Sequence, residues 1–307
     1  MIRKIQAEHS PAAGTPVAGC ANALLRRVPA DQERTNNGNS SHPGILIMNA
    51  DDWGRDKVTT DHIYDCVRCA TVSSVSAMAF MADSERAAEI ARERGIDAGL
   101  HLNFTTRFSA PHVSSQLMEH QQKIAAYLLR WKFNKVFFRP GLANSFEYVV
   151  AAQLEEYCRL YGTTPERFDG HHHMHLCANM LQAELLPAGT YVRRNFSFQP
   201  GEKSLVNRLY RKAVDRRLAR RHRQVDFLFS LRPLQSPGRL QRIFALASES
   251  AVEVEAHPVL PDEHNFLLGN EIVRLTANIR VSPFSAISGS GPSDGCSSYI
   301  LRPGSID

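Results

Sequence analysis

Along the chain, short unbroken apolar runs alternate with longer stretches in which apolar residues recur every three or four positions. Ile45-Leu46-Ile47-Met48 is a run of strand length without polar interruption, as expected of a strand buried on both faces. A helix-like stretch follows it and reaches Cys69. Residues 72–80 are β-branched and apolar and predict a second strand. Asp83 or Ser84 can then cap a helix that carries Ala87, Ala88, Ile90 and Ala91 and stops at Gly95. Residues 98–102 read as a short strand. A longer helix begins near Asn144 or Ser145, puts Phe146, Val149, Val150, Leu154, Tyr157 and Leu160 on one broad face, and ends at Gly162. Further strands are predicted at 167–168, 191–198, 226–231 and 252–256, with helical segments between them.

Strands that alternate with helices imply parallel βαβ units. This many of them in one folded span favours an α/β barrel over an open doubly wound sheet, the competing architecture. Residues 1–44 are rich in Ala, Pro, Ser, Asn and Gly and read as a disordered extension, and 281–307 read as a poorly ordered tail. One domain is therefore expected over residues 45–280. A hydrophobic content of 43% excludes a wholly disordered or collagen-like chain. The sequence shows no apolar stretch long enough to span a bilayer. Without a targeting signal the chain reads as cytoplasmic. No GxGxxG or GxxxxGK[ST] follows any strand, so nucleotide binding has no support. Six cysteines are too sparse for a disulfide scaffold, and Cys66-x-x-Cys69 lies in a helical stretch where buried apolar packing is favoured over metal binding.

Ionisable residues gather where strands end. Asn49-Ala50-Asp51-Asp52 closes the first, and His101 lies near the end of the third. Asp169-Gly170-His171-His172-His173-Met174-His175 leaves another, and His257 ends the strand at 252–256. In α/β barrels the C-terminal strand ends build the active site. Each piece has a bland reading: an Asp pair as a solvated turn, a lone histidine as a satisfied core residue. Four strands delivering carboxylates and imidazoles to one rim is the stronger signal. If 171–175 is extended, His171, His173 and His175 share one face and His172 takes the other. Asp169 is placed to orient a ring nitrogen of His171 or His257.

In order and approximate spacing, Asn49-Ala50-Asp51-Asp52-Trp53-Gly54, Gly99-Leu100-His101, the 169–175 segment and Glu255-Ala256-His257-Pro258 resemble the YdjC-like carbohydrate deacetylases. The resemblance implies an irregular seven-stranded (β/α) barrel, TIM-barrel-like. It also implies removal of an acetyl group from an N-acetylated sugar, an oligosaccharide or a lipid-linked glycan, by water activated on a divalent metal. Carried over by position, it makes Asp52, His101 and His171 the metal ligands, Asp51 the general base and His257 the general acid. It also implies Mg2+, whereas the softness of a His2Asp donor set leans to Zn2+, Mn2+ or Fe2+. The resemblance is weak around residues 110–140, where substrate loops are expected. The alternatives are another metal-dependent hydrolase of an ester, amide or phosphate bond, and a non-catalytic metal- or sugar-binding protein.

Charge adds one local feature. The net charge is only +5, yet residues 207–224 hold eight Lys or Arg and one acidic residue. Read as a helix, this segment has a narrow apolar stripe of Leu209, Tyr210, Val214 and Leu218, with Val206 one turn earlier. A solvated barrel helix is the simplest reading, and contact with a membrane surface or an anionic carrier is the alternative. A nucleic-acid partner is not expected, because no binding motif accompanies the charge.

Overall fold

The computed structural model describes residues 44–198, 204–236 and 238–288. The elements follow in the order β1 (Ile45–Trp53), α1 (Lys57–Arg68), β2 (Ser74–Ala77), α2 (Ser84–Arg94), β3 (Ala98–Leu102), α3 (Ser115–Arg130), α4 (Ala143–Tyr161), β4 (Arg167–Gly170), α5 (Ala178–Ala183), β5 (Tyr191–Val192), α6 (Leu205–Leu218), β6 (Phe227–Ser230), α7 (Arg239–Leu246), β7 (Ala251–Ala256), α8 (Pro261–Leu268), α9 (Asn270–Thr276) and α10 (Ser285–Ser288). Local signals set most boundaries. The Asp56 carboxylate accepts from the Thr59 N–H at the start of α1. Gly95 (φ 62) and Gly162 (φ 73) end α2 and α4 in the left-handed conformation.

All strand pairings are parallel and their order is β5-β4-β3-β2-β1-β7-β6. That is the cyclic order of a barrel with a seam between β5 and β6, so the doubly wound alternative fails. The seam is bridged: Ser197 N–H donates to the Leu228 carbonyl (2.7 Å), and Val192 N–H to the Arg223 carbonyl (3.0 Å). The strand expected over 191–198 is thus regular for two residues and irregular beyond, yet still helps close the wall.

Side chains alternate across the wall. Leu46, Met48, Val252 and Val254 pack outward into the main core beneath the helices, while Ile45, Ile47 and Ala251 belong to a separate inner cluster. Tyr191, Val225, Phe284 and Ile287 complete that inner cluster. Phe284 and α10 therefore plug the N-terminal end of the barrel. Residues 281–288 fall in the expected tail, but they are tied down: Val281 bridges Leu46, Phe284 N–H donates to Ser74 Oγ (2.9 Å), and Tyr191 Oη donates to the Ile287 carbonyl (3.0 Å). The expectations for residues 1–43 and 289–307 lie outside the described residues.

Two further expectations change. The stretch at 110–140 is not merely loop, because it holds α3, capped by Ser114 and buried along Leu117, Gln121, Ile124 and Leu128. In α6 only Val214 and Leu218 are buried, while Val206, Leu209 and Tyr210 face solvent, so the expected stripe splits. Cys66 is buried in α1, where burial pushes its thiol up to about 12, in keeping with apolar packing. Among the described residues no helix is long and apolar enough to cross a membrane.

Candidate active site

The first strand delivers two neighbouring carboxylates to one side. In a regular strand consecutive side chains point to opposite faces. Here β1 pairs with β2 at Asn49↔Ser74 and Ala50↔Val75, then slips by one residue to Trp53↔Ala77. Asp52 occupies the resulting bulge with φ 70, in the left-handed region. Asp51 and Asp52 are both buried, and each comes within 4.8 Å of a donor atom of His101.

Asp52, His101 and His171 offer donor atoms that all lie within 4.8 Å of one another. His171 Nδ1 is 2.8 Å and His101 Nε2 is 3.4 Å from Asp52 Oδ1. Neither nitrogen aims a hydrogen bond at that oxygen, and Asp52 Oδ1 and His101 Nε2 are buried with no hydrogen-bond partner. Buried polar atoms without a partner are costly, so a group of donors left this way fits a shared cation. The other ring nitrogen of His101 is held by Asp169, Nδ1 to Oδ1 at 2.7 Å. The expectation that Asp169 orients His171 or His257 is therefore corrected: β3 and β4 pair His101 with Asp169 in register, which brings these two together. Burial opposes charge on His101, but Asp51 and Asp169 lift its imidazole to about 10.

The segment after β4 is not extended. It forms a 3-10 turn over His171–Leu176, with His172 and His173 both at φ 55. The alternation expected for the four histidines is lost, and each takes its own place. His172 packs against His171, ring centroids 4.0 Å apart, with its Nδ1 3.0 Å from Thr105 Oγ1. Burial and His171 draw His172 down to about 4. His173 Nε2 lies 3.2 Å from Glu255 Oε2. His175 is fully enclosed and its Nε2 donates to the Arg193 carbonyl at 2.9 Å. A Cβ on Gly170 would stand 3.0 Å from the Cβ of His175, so any side chain there would press on the turn.

His257 reaches the same rim from β7, forming with Asp51 and Glu255 a second group whose donor atoms lie within 4.8 Å of each other. The sequence reading missed the residue at the centre. Arg193, just beyond β5, clamps both oxygens of Asp51 at 2.7 and 2.8 Å. It also reaches Asp169 at 3.0 Å, Glu253 at 2.7 Å and Glu255 at 3.2 Å. Burial would raise the Asp51 carboxyl, but the charges of Arg193 and His101 outweigh it and hold Asp51 below the usual carboxylate range. Asn49 Nδ2 donates to Asp51 Oδ1 (2.8 Å), and Ser76 Oγ donates to Asp169 Oδ2 (2.5 Å). A signal for this layer was present: Asn49 and Asp51, Ser74 and Ser76, Arg167 and Asp169, and Glu253 and Glu255 are polar residues at alternate positions of apolar strands.

Residues 45–282 match the model of the YdjC-like protein family. The chain belongs to that family. Among curated proteins, it is 31% identical over 154 residues to a carbohydrate deacetylase of Mus musculus, an alignment covering 47% of each chain. It is 29% identical over 133 residues to a chitooligosaccharide deacetylase of Yersinia pestis (strain Pestoides F), covering 43% of this chain and 51% of the relative. The chain spans about half the length of the curated relatives it matches. Among solved structures, a protein of Enterococcus faecalis V583 assigned provisionally to cellobiose-phosphate cleavage superposes with a TM-score of 0.58 at 18% identity. That likeness covers 80% of this chain and 99% of the other and shows a shared fold.

Proposed function

We propose that this YdjC-like protein is a divalent-metal-dependent carbohydrate deacetylase that hydrolyses the acetamide of an N-acetylated sugar, an oligosaccharide or a lipid-linked glycan. The observation that carries the reading is the convergence of Asp52, His101 and His171 on one point, with two of their donor atoms buried and unpartnered. Two imidazoles and one carboxylate suit Zn2+, Mn2+ or Fe2+ by softness, and Mg2+ by family resemblance. A cation held there would polarise the acetyl carbonyl and acidify a water molecule.

The remaining chemistry falls to the chain's own groups. Asp51 takes a proton from the attacking water as its oxygen bonds to the carbonyl carbon. Its bidentate pairing with Arg193 fixes the carboxylate in one orientation. The C–N bond then breaks, and His257 supplies the proton that lets the sugar nitrogen leave as an amine, with acetate as the second product. Glu255, whose Oε1 is 4.0 Å from His257 Nδ1, holds a negative charge beside that imidazole.

The test is acetate release from N-acetylglucosamine oligomers, set beside phosphate release from phosphomonoesters. Deacetylation without phosphate release supports the reading, and the reverse pattern refutes it. Asp51→Asn should keep bound metal, measured by elemental analysis, while turnover falls about 10²–10⁴-fold. A non-catalytic metal-binding protein would show no such separation.

A further inference from the structure

Two exposed apolar surfaces stand at the C-terminal end of the barrel, and the chemistry above uses neither. The first follows α3. This helix climbs along α4: His112, just before it, meets Glu156 low on α4, whereas His120 meets Ser145 in the first turn of α4. Because α4 runs down to the start of β4, its first turn marks the active-site end, and residues 129–139 project there. The segment reads Leu-Arg-Trp-Lys-Phe-Asn-Lys-Val-Phe-Phe-Arg, with four cations and no acidic residue. Its rings are bared: Trp131 is 52% exposed and Phe137 55%, with Phe133 and Phe138 close behind.

These rings do not dangle. Trp131 stacks on Phe137 (interplanar angle 10°) and meets Phe133 edge-on. Asn134 Nδ2 donates to the Tyr127 carbonyl, and Asn179 of α5 exchanges two 3.0 Å hydrogen bonds with the backbone of Arg139. The spur is thus a braced platform of aromatic residues that water solvates poorly. The second surface is the first half of α6, where Leu205, Val206, Leu209 and Tyr210 are exposed beside Arg208 and Lys212. Residues 204–214 carry no acidic residue. As α6 follows β5, its first turns also stand at the active-site end. The spur meets α5 through Asn179, and α6 meets it farther along through Arg217, whose Nε donates to the Leu181 carbonyl; α5 directly follows the histidine turn.

We propose that the 131–138 spur and the first half of α6 together dock the mouth of the barrel onto an anionic lipid bilayer. Bared Trp and Phe among Lys and Arg is the composition that favours the membrane interface, where rings enter the headgroup layer and cations meet lipid phosphates. A sugar-stacking platform fits less well, since it would offer ring faces with hydrogen-bonding groups beside them. Here Trp131 packs on Phe133 and Phe137, and Lys132 Nζ stands 5.1 Å from the Phe133 centroid, so the ring faces are already engaged. The docking rests on the proposed deacetylase reading in one respect: it would let that site meet sugars held at a membrane.

The chain supplies its own reporter. It has two tryptophans, Trp53 fully buried and Trp131 bared, so a change in quenchable emission comes from Trp131. The full chain is mixed with vesicles of phosphatidylglycerol and phosphatidylcholine in equal parts, or of phosphatidylcholine alone. Docking predicts co-sedimentation with the anionic vesicles, a blue shift of emission and loss of acrylamide quenching. Lys132→Gln with Lys135→Gln should weaken partitioning about fivefold for each charge removed. Trp131→Ser with Phe137→Ser should abolish it, with circular dichroism and metal content unchanged. No co-sedimentation with anionic vesicles, equal binding to neutral ones, shielding of Trp131 only by self-association, or shielding only by a chitooligosaccharide would each overturn the proposal. Acetate release from a soluble chitooligosaccharide is read separately, so the docking and the deacetylase reading can fail independently.

Discussion

Arg193 shows how much of this site rests on single side chains. It is 3% exposed and faces carboxylates from three strands, Asp51, Asp169, Glu253 and Glu255. Removing one partner of a buried ion pair leaves the others uncompensated, a loss of about 3–5 kcal/mol. Arg193→Gln should therefore lower unfolding stability by about that amount in urea titrations. Arg193→Lys keeps the charge but cannot hold both Asp51 oxygens, so we expect kcat to fall with KM little changed. His175 carries a second expectation. Burial, with His173 beside it, draws its pKa from 6.5 down to about 3. Between those values the unfolded chain binds a proton that the folded chain does not, so stability drops as pH falls. The slope is about 1.4 kcal/mol per pH unit, or about 2 kcal/mol between pH 6.5 and pH 5. His175→Gln can keep a donor for the Arg193 carbonyl and should flatten that part of the profile, read as urea midpoints at the two pH values.

At the scale of elements, local chemistry explains the helices well and the irregular pieces poorly. The ends of α2 and α4 at Gly95 and Gly162 follow from glycine's access to positive φ. The bulge at Asp52 and the two-residue length of β5 have no such local cause. They arise because the wall must curve and close across the seam at Ser197 and Leu228. The 3-10 turn at His171–Leu176 is likewise set by partners far away in sequence, Thr105, Arg193 and Glu255. The plug is an element-level device as well. Phe284 is 5% exposed, packs edge-on against Tyr191 (centroids 4.8 Å apart), and lies beneath Arg167, whose Cζ is 5.0 Å from its ring. Phe284→Ala should cost about 3–5 kcal/mol, measured by chemical unfolding, while Asp52, His101 and His171 stay in place at the other end.

For the molecule as a whole, an ion at Asp52, His101 and His171 would bind the folded chain and find no assembled site in the unfolded one. Saturating Zn2+ or Mn2+ at about a hundredfold above Kd should add about 2.7 kcal/mol of stability, seen as a rise in Tm that a chelator reverses. With His101 held at about 10, an ion arriving at Nε2 must displace a proton. Affinity should therefore rise with pH and fall in acid, which calorimetry at two pH values checks. The surface charge belongs to this scale too: a net +5 says little, whereas 129–139 and the first turns of α6 bring four and three cations, with no acidic residue, to one end of the barrel.

The sequence by itself determined what depends on neighbours along the chain: strand and helix periods, helix stops, the parallel βαβ order, and which carboxylates and imidazoles stand at strand ends. It also placed Asp51, Asp52, His101, His171 and His257 on one rim, because every strand of a parallel barrel ends on the same side. Tertiary structure alone decided that Asp52 turns inward through a bulge, that Asp169 serves His101, and that His172, His173 and His175 part ways. It alone placed Arg193 against Asp51, 142 residues away in sequence. These choices depend on distances across a closed wall, which no periodicity along the chain can encode.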